Sequence, residues 1–299
     1  MRNLVSLFGR TLLAGLGVVL VGCSGSADLG PVANADAAAA IRKSLEEGKA
    51  AAGDGAAAPT GTGWATLKGQ FVFDGDPPAM QPYGVNKEEA ICSIDGKKPL
   101  QETLVVSPSS KGIKNVVVFL RDASRVNESA NAKTDPVTFD QKHCVFLSHV
   151  AGVTVGQPLD IKNSDPTGHN TNILGSGFNQ LIAAGADIPF KSTKETPVPS
   201  KVTCSIHPWM TSYLLVRKNG YYAITDADGN FEIPNVPAGE PLEFQVWHES
   251  GAAPGQGLVG TTADAPDVKW SNRGRVSMKL EPDSTKELKV TVPAKAFSL

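Results

Sequence analysis

The stretch VTCSIHPWMTSY, residues 202–213, places three metal-binding side chains in one short segment. Cys204, His207 and Met210 supply a thiol, an imidazole and a thioether at a C-x2-H-x2-M spacing. These are soft or borderline ligands, and blue-copper chemistry combines two imidazoles and one thiolate with a weak, long thioether bond. The stretch therefore contains three of the four groups, and we expect the other imidazole upstream.

A candidate for that imidazole lies in the run GQPLDIKNSDPTGHN, residues 156–170. The first half of the run alternates apolar and polar residues as a strand does. His169 follows the end of this predicted strand and precedes Asn170. A solitary His is usually solvated, a free Cys is usually a small buried apolar residue, and Met and Trp most often belong to the core. The joint spacing of His169 with the C-x2-H-x2-M segment, not any single residue, favours a copper site.

The two motifs together resemble the cupredoxins, and the short ligand loop is most similar to that of the amicyanin-like and pseudoazurin-like members. The resemblance covers residues 135–216 and implies a Greek-key β-sandwich with one mononuclear copper. It implies that His169, Cys204 and His207 are the equatorial ligands and that Met210 is the axial one.

The same resemblance implies roles for three neighbouring residues. Asn170 is expected to hydrogen-bond between the two ligand loops and fix their geometry. Pro208 locks the backbone after the second histidine, and Trp209 is expected to cover the copper and offer an apolar docking face. The exposed edge of His207 is then the expected exit for the electron.

The cysteine count is compatible with a metal-binding Cys204. The chain has four cysteines, and Cys23 is assigned to a lipid below. In an oxidising compartment the odd thiol among the remaining three is conspicuous. A disulfide between Cys92 and Cys144 would leave Cys204 free for metal, whereas a disulfide to Cys204 would remove the site. The sequence leaves both pairings open.

Residues 1–22 resemble a bacterial lipoprotein signal peptide. Two arginines precede the apolar run TLLAGLGVVLVG, which is shorter than the roughly 20 residues that span a bilayer. The run ends in LVGC, which looks like a lipobox and implies cleavage before Cys23 and lipid attachment to its sulfur. This predicts a membrane-anchored protein of the cell envelope that faces the periplasm. The outer membrane is favoured because no Asp follows Cys23. An ordinary signal peptide or a short anchor helix is the alternative.

The rest of the chain reads as β-rich. Residues 23–63 are mainly Ala, Gly, Ser and Asp, which predicts a disordered linker. From residue 64 onward, ATLKGQFVFDG, NVVVFLRD, DPVTFDQ and QPLDIKN are strand-like runs bounded by Gly, Pro, Asn and Asp. The segment NKEEAI predicts at most one or two helical turns. We therefore expect an all-β fold.

A second resemblance concerns residues 217–299. The run YYAITDADGNFEI predicts a strand, a tight hairpin turn and a strand, and TDADGNFEIPNVPAG resembles the carboxypeptidase regulatory-like, transthyretin-like sandwich. Residues 64–134 are then N-terminal strands that either complete this sandwich, split by the cupredoxin stretch, or form a separate strand pair. Such sandwiches are usually non-catalytic, so the triplet WHE at 247–249 is expected to pack within a strand. The overall order is similar to that of methylamine-utilisation-protein-like lipoproteins.

Two functions of different classes remain. The leading hypothesis is a lipid-anchored electron carrier that meets a redox protein partner. The alternative is a non-catalytic adhesion, carbohydrate-binding or protein-binding lipoprotein with an empty cupredoxin-like domain. Four Met are too few for a copper-storage protein, and five His cannot supply the further coppers of an oxidase or reductase, so we do not expect an enzyme. The net charge of −2 and the lack of a basic cluster argue against nucleic-acid binding.

Overall fold

The computed structural model describes residues 61–299. The predicted signal peptide, the lipidation of Cys23 and nearly all of the predicted linker lie outside the described residues. No helix among residues 61–299 is long and apolar enough to cross a membrane.

Strands dominate the described part of the chain. In chain order they are β1 (Trp64–Asp74), β2 (Val117–Leu120), β3 (Val137–Lys142), β4 (Val145–Phe146), β5 (Val150–Thr154), β6 (Leu159–Asn163), β7 (His169–Ile173), β8 (Phe178–Ile182), β9 (Asp187–Phe190), β10 (Ser200–Thr203), β11 (Thr211–Arg217), β12 (Tyr222–Ile224), β13 (Asn230–Pro237), β14 (Pro241–Trp247), β15 (Lys269–Trp270), β16 (Arg275–Lys279) and β17 (Thr285–Pro293). One α-helix, α1 (Glu89–Cys92), and two 3₁₀ turns (Glu128–Ala130 and Ala294–Ala296) complete the elements of residues 61–299.

The all-β prediction is confirmed. The runs ATLKGQFVFDG, NVVVFLRD, DPVTFDQ and QPLDIKN cover β1, β2, β3 and β6 except for at most one terminal residue of each strand, and NKEEAI covers all but the last residue of α1. Their alternating or β-branched residues suit a pleated surface that is buried on one or both faces.

Strands β3 to β11 form one sandwich, which we name the site sandwich. Its two sheets have the orders β4-β3-β6-β9 and β5-β11-β10-β7-β8. Phe139 and Ile161 from the first sheet share a core with Val153, Ile173 and Leu214 from the second. The pairs β3–β6 and β5–β11 are parallel, so the chain crosses between the sheets rather than running as a meander.

The remaining strands form a second pair of sheets, which we name the flanking sandwich. Its sheets have the orders β13-β1-β17 and β12-β2-β14-β16-β15. β1 pairs with β13 antiparallel and with β17 parallel, so strands from the two ends of the described chain lie side by side. The chain therefore leaves this sandwich after β2, builds the site sandwich, and returns at β12.

The hairpin predicted for YYAITDADGNFEI is wrong. β12 and β13 are both strands, but β12 pairs with β2 and β13 pairs with β1 in the other sheet. The polar segment between them makes a corner instead, because the Asp226 carboxylate accepts the backbone N–H groups of Asp228 and Asn230. The sequence motif specifies the turn and both strands, but not the sheet that each strand joins.

The two sandwiches meet through a third apolar core. The flanking sandwich contributes Val117, Phe119 and Trp247 to this core. The site sandwich contributes Val150, Tyr213 and Leu215. Along β2 and β11, every second residue faces this third core, and the residues between them face the core of their own sandwich. This explains why VVFL and YLLV are continuous apolar runs, since both faces of each strand are buried.

Candidate metal centre

The C-x2-H-x2-M segment is the connection of a β-hairpin. β10 and β11 pair antiparallel up to Thr203 and Thr211, and residues 204–210 join them. Within this loop the Met210 N–H donates to the His207 carbonyl at 2.9 Å, and the Cys204 N–H donates to the Met210 carbonyl at 3.4 Å. The loop is thus closed by its own backbone, which holds the spacing of its three ligand-type side chains.

His169 comes from the neighbouring strand. It is the first residue of β7, which pairs with β10 through Asn172 and Thr203, next to the start of the ligand loop. This register brings His169 next to the loop, although His169 and Cys204 are 35 residues apart in sequence. His169 and His207 are completely buried, and Cys204 and Met210 nearly so.

The side chains of His169, Cys204 and His207 converge. Their ligand atoms lie within 4.8 Å of one another. The two Nδ1 atoms are 2.9 Å apart, and the Cys204 Sγ lies 3.9 Å from the His207 Nδ1. In protein sites of first-row metals such as zinc, the metal–nitrogen distance to an imidazole is about 2.0 Å and the metal–sulfur distance to a thiolate is about 2.3 Å. Two ligand atoms of the same ion therefore lie roughly 3–4 Å from each other. Two nitrogens and a sulfur at these separations fit a single copper ion.

Two backbone groups point at the sulfur. The Asn170 N–H donates to the Cys204 Sγ at 3.2 Å, and the His207 N–H donates to it at 3.4 Å. Asn170 also joins the two ligand segments, because its Oδ1 accepts the Ser205 N–H at 3.2 Å and its Nδ2 donates to the Asn179 Oδ1 at 2.7 Å. These contacts fix both the strand end and the loop that carry the ligands.

Pro208 and Trp209 follow the second histidine at the surface of the loop. Pro208 is exposed, and the half-buried Trp209 ring lies 5.2 Å from the His207 ring, centroid to centroid. The Trp209 Nε1–H donates to the Cys144 carbonyl at 3.0 Å, so the indole is fixed to the turn between β3 and β4.

Each histidine has a carboxylate behind it, which the sequence reasoning missed. The His169 Nε2 lies 2.7 Å from the Asp165 Oδ2, and the His207 Nε2 lies 2.7 Å from the Glu88 Oε2. Asp165 stands four residues before His169 in the same motif, and this proximity was the available signal. Glu88 lies outside both motifs, in NKEEAI, and no sequence pattern connects it with His207.

The expectation of an exposed His207 edge is wrong. His207 has 0% exposed surface. The cause is the segment that precedes α1, because its Glu88 carboxylate occupies the Nε2 edge of the ring and Trp209 lies against another side. The Nε2 atom therefore faces a carboxylate rather than solvent.

Cys92 and Cys144 are joined by a disulfide, and Cys204 is a free, buried thiol. The disulfide is close to the site, since ligand-type atoms of Cys92, Cys144 and His207 lie within 4.8 Å of one another. It ties α1 to the site sandwich at the edge where Glu88 meets His207.

The ionisation of Cys204, His169 and His207 favours metal binding through the Cys204 sulfur. Burial raises the pKa of Cys204, but hydrogen bonds from His169 and from backbone N–H groups outweigh burial and lower it overall. Burial lowers the pKa of His169, but the contacts with Asp165 and Cys204 outweigh it and raise the value to about 9. Burial also lowers the pKa of His207, which keeps this ring neutral. The thiolate, not the thiol, is the form that binds a metal, and His169 must release its proton when it binds one.

Comparison with known proteins gives cupredoxins among the solved structures. No family model and no curated protein matches the chain. A Cu-containing nitrite reductase from Thermus scotoductus SA-01 is 22% identical over 27% of this chain and 22% of its own, with a TM-score of 0.25. The chain thus spans under a quarter of that enzyme's length.

Two amicyanin structures match a similar portion of the chain. The reduced Cu(I) form of an amicyanin mutant at pH 4 is 16% identical over 33% of this chain and 98% of its own, with a TM-score of 0.25. Amicyanin from Paracoccus versutus is 14% identical over 33% of this chain and 97% of its own, also with a TM-score of 0.25. TM-scores this low carry no argument about a metal site. The case for the candidate site comes instead from the geometry of this chain's own residues.

Proposed function

We propose that this protein is an electron carrier of the cell envelope with one copper ion held by His169, Cys204, His207 and Met210. The observation that carries the proposal is the convergence of two imidazole nitrogens and one free thiol in a buried position. Bound copper would supply one-electron chemistry by alternating between Cu(I) and Cu(II). The partner is then a redox protein that delivers or removes the electron.

The surrounding residues are suited to this task because they hold the ligands still. The Asn170 amide and backbone groups fix the sulfur, and Asp165 and Glu88 fix the two rings. A ligand set held in this way keeps its arrangement when the metal charge changes by one. Trp209, half-buried beside His207, is the surface-reaching aromatic group that we propose for contact with the partner.

Metal content and spectroscopy of the purified chain test the function. We expect one copper per chain to survive dialysis, with intense thiolate-to-copper absorption in the visible range that ascorbate bleaches and ferricyanide restores. A chain that retains no copper after dialysis contradicts the proposal and supports the alternative, an adhesion, carbohydrate-binding or protein-binding lipoprotein.

We also propose that Cys23 carries a lipid that anchors the protein to an envelope membrane, facing the periplasm and with the outer membrane favoured. The support is the LVGC run after a short apolar segment. In cells fed a palmitate analogue, we expect the native chain to be labelled and Cys23→Ser to be unlabelled. Label on the Ser variant, or none on the native chain, contradicts the anchor.

A further inference from the structure

We propose that Glu88 and Asp165 are positioning residues for the two copper-ligating histidines and that the Cys92–Cys144 disulfide holds both carboxylates in place. This inference rests on the proposed copper site and concerns how that site is set. Within residues 61–299 neither carboxylate hydrogen-bonds to Cys204, so each acts through the ring that it contacts.

Glu88 contacts both segments that carry a histidine. Its Oε2 lies 2.7 Å from the His207 Nε2, and the Thr167 hydroxyl donates to its two oxygens at 3.2 and 3.3 Å. Thr167 lies two residues before His169, in the loop that leads into β7. One carboxylate therefore bridges the loop of the first imidazole and the ring of the second.

The backbone of Glu88 is fixed by the disulfide-bonded turn that follows it. The residue adopts a left-handed conformation with φ of 53°, which is uncommon for residues other than Gly. Its carbonyl accepts the N–H groups of Ile91 and Cys92 at 2.8 and 2.9 Å. Cys92 is fully buried and bonded to Cys144, so the position of Glu88 depends on that disulfide.

Asp165 is held by the other half of the same disulfide. Its Oδ2 accepts the Cys144 N–H at 2.8 Å and faces the His169 Nε2 at 2.7 Å, while its Oδ1 accepts the His143 N–H at 2.7 Å. Asp165 is 4% exposed. One half-cystine thus bonds to the backbone carbonyl of Glu88 and the other to the carboxylate of Asp165. Each of these two carboxylates in turn contacts one histidine ring.

The chemical consequence follows from the ring geometry. The two Nδ1 atoms face each other and the sulfur, so Nε2 must carry the proton when Nδ1 binds a metal. A carboxylate that accepts this N–H fixes the tautomer and the ring orientation, and losing such a partner typically costs 10–100-fold in metal affinity. Two nearby negative charges also favour the more positive, oxidised ion, which lowers the reduction potential.

The test uses the full chain and neutral isosteres of both carboxylates. We expect Glu88→Gln and Asp165→Asn each to weaken Cu(II) binding about 10–100-fold in competition titrations and to raise the reduction potential. Glu89→Gln is the matched control, because the Glu89 side chain is adjacent and 61% exposed, and its one ion pair within residues 61–299 is with Lys98. We expect this control to leave both quantities unchanged. Removing both half-cystines, with Cys92→Ala and Cys144→Ala, should reproduce the affinity loss in the folded protein.

A second readout separates this inference from the copper assignment. In the metal-free protein, nitrogen NMR of the imidazoles should show the proton of His207 on Nε2, and Glu88→Gln should make both tautomers visible. If native protein binds no copper, the proposed function fails whatever the NMR shows. If native protein binds copper and the Gln and Asn variants match it in affinity, potential and tautomer, the positioning roles are wrong and the copper site stands.

Discussion

Replacing Cys204 with Ser is expected to abolish the intense visible absorption of the copper-loaded protein and to lower its copper affinity by more than any other single substitution in the loop. The sulfur is the free thiol among the described cysteines, and it receives two backbone N–H groups. A serine oxygen provides no thiolate-to-copper transition and is a harder ligand than the thiolate that copper prefers. Absorption spectra and competition titrations of the two purified proteins measure both effects.

Ser205→Ala is the control for this change. Ser205 is exposed and next to Cys204, and its contribution to the site is its backbone N–H, which donates to Asn170 and survives the substitution. We expect its spectrum to match that of the native protein. If Cys204→Ser keeps the band, or Ser205→Ala loses it, the sulfur assignment is wrong.

Replacing Trp247 with Ala is expected to lower the free energy of unfolding by about 3–5 kcal/mol, the usual cost of deleting a large buried aromatic side chain. Trp247 is completely buried in the core between the two sandwiches, and its ring packs edge-on against Tyr213 with centroids 5.0 Å apart. The substitution leaves a cavity where the sandwiches meet. Denaturant unfolding followed by circular dichroism measures the loss.

Trp247→Phe separates packing from hydrogen bonding. The Trp247 Nε1–H has no hydrogen-bond partner within the described residues, so Phe removes an unpaired donor while keeping most of the apolar ring. We expect Phe to cost much less than Ala. Equal losses for Phe and Ala, or no loss for either, would show that this core does not join the sandwiches as described.

The sequence could single out His169, Cys204 and His207, whose ligand-type atoms the structure brings together, because the information is local. Three candidate ligands lie in one hairpin connection, where a spacing of three residues fixes which side chains meet. The fourth, His169, stands at the start of β7, next to β10 in the same sheet. A strand end followed by a His-Asn pair is recognisable without knowledge of the rest of the fold.

Glu88 and the burial of His207 were not predictable in the same way. Glu88 is 119 residues from His207 in sequence, and it contacts the ring from a segment whose following turn is joined to the site sandwich by a disulfide. A polar helix-like segment such as NKEEAI carries no mark of this contact. The same holds for Trp247, where burial between two sandwiches depends on how whole sheets stack rather than on its own strand.

The route of the chain through the two sandwiches has a consequence for the order of folding during synthesis. β1 and β2 are made first, but their sheet partners β13, β14 and β17 all follow the site sandwich in sequence. A nascent chain that ends after β11 contains every strand of the site sandwich and only two strands of its neighbour. Until β12 and the later strands emerge, β1 and β2 present unpaired edges, a state that invites pairing with other chains. The site sandwich is thus the first that can be completed, although the flanking sandwich is begun before it.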